Sequence, residues 1–123
     1  MTRTGWHMER SADRLVLSRR AQARFDVAAT ASFPSARRGR LAHQIRQDLW
    51  RRLRDLRGFA PVVEVTGRGP LTVRAGGSVA GRVPPGTEAT IADMLTDPAL
   101  RARWMSQAAP RATSPSPSEG EGS

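Results

Sequence analysis

Eight residues between positions 37 and 57 carry the chemistry this chain could do: Arg37, Arg38, Arg40, His43, Arg46, Trp50, Arg54 and Arg57. A guanidinium presents donors in a planar fork that suits phosphate and carboxylate oxygens. An indole among guanidinium groups adds a flat apolar platform on which a base can stack, and phosphate-binding surfaces combine the two. His43, Arg46, Trp50, Arg54 and Arg57 fall at steps of three, four, four and three, so on a helix they form one stripe, with Arg40 and Arg51 beside it. Arg37, Arg38 and Arg40 stand where such a helix would begin. Positive charge there is slightly unfavourable against the helix dipole and is relieved by an anion. The bland alternative is that a charge run on a helix is usually a solvated face. Arg and Trp together also mark protein interfaces, so a protein partner or a second copy of the chain is the competing expectation to nucleic acid.

Catalysis finds little to work with. His7 and His43 are the only histidines and there is no Cys, so a disulfide, a thiolate metal site and a thiol nucleophile are excluded. No HExxH, GxSxG or Walker-type loop occurs. Gly67-Arg68-Gly69 and Gly76-Gly77 are expected in hairpin turns, where glycine is needed for conformation alone. Asp48, Asp55 and Glu64 are available carboxylates, but Asp48 reaches Arg52 and Asp55 reaches Arg51 at helical spacing, which predicts ordinary surface pairs of small value. No catalytic residue, metal or cofactor is expected.

The elements that must position the arginine stripe can be read from periodicity. Leu41, Ile45, Leu49, Leu53 and Leu56 recur at steps of four, four, four and three, which predicts an amphipathic helix ending at Gly58 with its apolar face on a sheet. Ala23 to Phe33 alternates and predicts a half-buried strand stopped by Pro34. Val62 to Thr66 and Leu71 to Ala75 predict a hairpin, with Gly76-Gly77 turning a further segment, Ser78 to Val83, back on it. Thr87 and Asp97-Pro98 are expected to start two short helices carrying Ile91, Met94, Leu95, Leu100 and Trp104. Leu15-Val16-Leu17 is too short to type, and a short helix capped by Ser11 or Asp13 is one expectation there. The fold class predicted is α/β (α+β): one small domain over 11–107, a central amphipathic helix on a three- or four-stranded, largely antiparallel sheet, and short C-terminal helices. It is flanked by a flexible N-terminus over 1–10 and a disordered Pro/Ser/Gly/Glu tail over 108–123. Leu41, Ile45, Leu49, Leu53, Val63, Val65, Leu71 and Val73 are the expected core.

The formal charge is +9, and all 20 basic residues are Arg. A GC-rich bacterial genome would favour Arg over Lys without functional cause, so the net charge and its clustering carry more meaning than the absence of Lys. The hydrophobic fraction is 38%, which allows only a modest core. No window approaches the roughly 18 apolar residues of a membrane span. Ser18-Arg19-Arg20 is not followed by the apolar run of an export signal, and a cytoplasmic location is expected.

Overall fold

The computed structural model describes residues 7–18 and 24–109. Five strands and three helices follow in the order β1 (His7–Arg10), β2 (Arg14–Ser18), β3 (Val27–Phe33), α1 (Arg38–Leu53), β4 (Ala60–Thr66), β5 (Leu71–Ser78), α2 (Thr87–Leu95) and α3 (Pro98–Ala108). The strands form one sheet in the order β1-β2-β4-β5-β3, with every neighbouring pair antiparallel. β3 and β4 therefore run the same way with β5 between them, and α1 carries the chain from one to the other across the sheet face.

Register fixes which side chains meet the helices. Leu15 lies opposite Val65, Val65 opposite Val73 and Val73 opposite Ala31. Leu17, Val63, Ala75 and Ala29 make the next row. These rows join Leu41, Ile45, Leu49 and Leu53 of α1, Ile91, Met94 and Leu95 of α2, and Trp104 of α3 in one apolar cluster. All eight residues expected in the core are buried. The opposite face is more polar, with an Arg14–Glu64 ion pair and the Arg74 guanidinium 4.1 Å over the Phe25 ring. β3 is an edge strand, and its outward groups are partly covered: Ala28 N–H donates to Glu88 and Arg101 donates to the Ser32 carbonyl.

Several local expectations are corrected. The short helix at Ser11 or Asp13 is instead the turn of the β1–β2 hairpin, closed by Ser11 N–H to the Arg14 carbonyl. That strand hides from periodicity because Leu15 and Leu17 are buried on the helix side while Val16 is buried on the other. The sheet thus gains a hairpin beyond the three or four strands predicted, and its pairing begins at His7. The central helix stops at Leu53, and 54–58 form turns in which Leu56 is only half-buried, with Gly58 at φ 65°. Thr87 does not cap α2; its hydroxyl donates to the Pro84 carbonyl and Gly86 holds the cap position. By contrast Asp97 accepts from the Ala99 and Leu100 amides with Pro98 opening α3, and that helix continues through buried Ala108. The expectation of a disordered tail otherwise falls on 110–123, outside the described residues.

A further correction concerns Gly76-Gly77, which lie within β5 rather than in a turn, so Ser78 to Val83 is not a further strand. They are glycines because the neighbouring backbones come too close for a side chain. A Cβ on Gly76 would stand 1.9 Å from the Val27 carbonyl oxygen, and Gly77 has φ 149° with its Cβ position 2.1 Å from the Ala60 oxygen. Gly76→Ala is therefore expected to lose at least about 2 kcal/mol of stability by forcing β3 away from β5. At Gly69 a Cβ meets nothing within 4 Å, and Gly69→Ala should be close to neutral. Urea denaturation of the pair checks this; equal midpoints would mean that β3 yields freely.

Candidate nucleic-acid interface

Helix α1 has two flanks beside its buried face. Asp48 marks one, and is itself buried against α3: the Trp104 indole N–H donates to its carboxylate at 2.6 Å, Arg103 donates to the same oxygen, and Arg51 pairs with the other at 3.3 Å. Asp48 is thus no surface partner of Arg52; it ties α1 to α3. Gly39, His43, Arg46 and Trp50 fall on the opposite flank at steps of four, three and four.

The structure separates the eight candidate residues. Arg37 is committed to α3: its guanidinium donates to the Ala109 and Gln107 carbonyls at 2.9 and 3.1 Å, and its backbone N–H donates to the Ala108 carbonyl. It caps a helix C-terminus, a sound use of a cation. Arg38 is half-buried, and its enclosed Nη1 has no hydrogen-bond partner among the described residues. Arg40 is exposed, and His43 and Arg46 are half-buried. Trp50 is 40% exposed and stacks with buried Phe59, their rings 6.4 Å apart and 6° from parallel. One indole face is therefore braced and a large part of the ring stays in solvent. Arg54 is exposed at the helix C-cap. Arg57 has left the helical stripe; it lies in the following turn, where its carbonyl accepts from Ala80 N–H. The flank that remains together is Arg40, His43, Arg46, Trp50 and Arg54.

Sequence reasoning misses one member. Met8 and Arg10 of β1 pair with Leu17 and Leu15, so both side chains stand on the helix side of the sheet. Arg10 reaches the start of α1, where its Nη2 would be 3.0 Å from a Cβ on Gly39. Only the strand pairing reveals it. His43 records the gathering: burial, then the charges of Arg46, Arg40 and Arg10, lower its pKa below the ordinary 6.5. The nearby acids point elsewhere, Glu9 to the opposite sheet face by register with Val16 and Asp48 to α3. Among the described residues, neither Arg10 nor Arg40 forms an ion pair.

An open hollow of about 560 Å³ lies elsewhere, between the start of β3 and the N-terminus of α2. Its carboxylates are occupied: Asp26 accepts from Val79 N–H and Arg24, and Glu88 accepts from Ala28 N–H. Among the described residues no three His, Asp or Glu side chains gather as a metal site, and no helix is long and apolar enough to cross a membrane. No protein-family model, curated protein or solved structure matches the chain.

Proposed function

We propose that this protein binds nucleic acid through its phosphate backbone, using the α1 flank of Arg40, His43, Arg46, Trp50 and Arg54 together with Arg10. The observation that carries the reading is a cluster of guanidinium groups, Arg10 and Arg40 among them outside any ion pair of the described residues, beside an exposed, braced indole. Like charges held together on a folded surface are stabilised by a bound polyanion, whose condensed counterions are released on binding. A braced Trp presents a π-face at little entropic cost, which suits an unpaired base better than one stacked inside a duplex. Sequence preference should be weak, because phosphate contacts position a ligand and carry no base information.

Titration of labelled single- and double-stranded DNA and RNA across a range of salt tests the proposal. Affinity should fall linearly on logarithmic axes. Changing Arg40 and Arg54 together to Gln should lower the slope by about 0.7 to 0.9 for each phosphate that the protein no longer neutralises. Arg37→Gln should instead lower the melting temperature with no change of slope. A competing reading follows from the 40% exposure of Trp50, since Trp flanked by Arg is also a protein hot spot. Absence of nucleic-acid binding even at low salt would favour that protein-partner role.

A further inference from the structure

We propose that Arg10, Arg40, His43 and Arg46 form a discrete site for one phosphate group of a nucleic-acid strand, set in the notch that Gly39 opens between β1 and α1. The proposal rests on the nucleic-acid reading above and adds where one phosphate sits and what proton accompanies it. Glycine brings no helix propensity of its own to this position. Here its missing side chain is used, because a Cβ at position 39 would meet Arg10 Nη2 at 3.0 Å and Leu15 Cδ1 at 3.7 Å. Arg10 lies against the helix at that gap. His43 is one turn further on, with Arg46 beyond it and Arg40 beside Gly39.

Among the described residues, the charged groups that act on His43 are all cationic: Arg40 and Arg46 from its own helix and Arg10 from β1. β2 contributes Leu15 and Leu17 to this side of the sheet, while Arg14 pairs with Glu64 on the other. Burial and these charges favour the neutral imidazole. A phosphate reverses that balance, because its charge offsets the three guanidinium groups and its oxygens can accept from the imidazolium. Binding should take up a proton. Seven residues of helix separate His43 from Trp50, a distance of about 10 Å, so a strand anchored by a phosphate at Arg10 can lay a nearby base on the indole.

The experiment uses the full chain and a short oligothymidylate, whose phosphodiesters and bases do not titrate near neutrality. His43 is followed by NMR with and without the oligonucleotide, and affinity is measured between pH about 6 and about 8. The His43 pKa should rise on saturation, and affinity should weaken with rising pH by up to about tenfold per unit, the limit for one proton. His43→Gln should remove the pH dependence, while His7→Gln, on the opposite face, should retain it. Arg10→Gln should weaken binding roughly tenfold. Gly39→Ala should do the same without loss of fold, since only the flexible end of Arg10 has to move. Binding that is independent of pH and indifferent to Arg10→Gln would overturn the site and leave the backbone-binding reading standing. No binding at low salt would overturn both.

Discussion

Leu49→Asp is expected to abolish the folded state. Leu49 is fully buried at the centre of the α1 stripe, within the cluster shared by the sheet and all three helices. Truncating such a side chain alone costs about 2 to 5 kcal/mol through lost burial and the cavity left behind. A carboxylate there adds several kcal/mol more, because it is removed from water with no donor to meet it. The whole stability of a domain this size is about 5 to 10 kcal/mol. The two costs together reach that total. Circular dichroism should show no cooperative melting transition for Leu49→Asp and a lowered but cooperative one for Leu49→Ala. Gln47, two residues away and exposed, gives the control: Gln47→Asp should melt within about 0.5 kcal/mol of wild type. A wild-type transition in Leu49→Asp would mean that α1 does not rest on the sheet through this face.

The part of the fold that is legible in the sequence is the part whose signal is local. Leu41, Ile45, Leu49 and Leu53 repeat at the helical period because one face alone is buried, and Val63, Val65, Leu71 and Val73 alternate because their side chains turn to the helices while Glu64, Thr72 and Arg74 between them turn away. Leu15-Val16-Leu17 carries no such period, since both sides of β2 are covered. The β1–β2 hairpin is hidden with it, and so is Arg10, whose place beside α1 depends entirely on pairing with Leu15. Gly76-Gly77 gives the sign of a turn, although the same residue type serves equally where three backbones crowd together. The arginine stripe is legible as far as the helix runs; Arg57 falls off it because the chain turns after Leu53 to bring Phe59 into the core and Ala60 into β4. Arg37 reads as a ligand-binding residue because nothing in the sequence shows that the end of α3 lies beside it.

The widest gap between spacing and structure is at Asp48, and it leads to the second strong expectation. Helical spacing offers it a solvent partner, but its principal donor, Trp104, is 56 residues away. Burial pushes the Asp48 carboxyl up, but hydrogen bonds from Trp104 and Arg103 and the charges of Arg103 and Arg51 outweigh it, leaving the pKa below the ordinary 3.8. Asp48→Ala would leave the Trp104 indole N–H buried without an acceptor and release Arg103 from the α1–α3 contact. About 3 kcal/mol should be lost, a large share of the total. Asp48→Asn keeps an acceptor for the indole and gives up the charge, so it should cost less. Because the folded pKa is depressed, the ionic part of this stabilisation is fully present above pH 3.8 and drains away as the pH falls through the folded value. The stability gap between wild type and Asp48→Asn should therefore be constant near neutrality and narrow below pH 3.8. Urea denaturation at a series of pH values reads it directly. A gap that stays wide in acid would show that Asp48 holds α1 to α3 by shape and hydrogen bonding alone, with its charge contributing nothing.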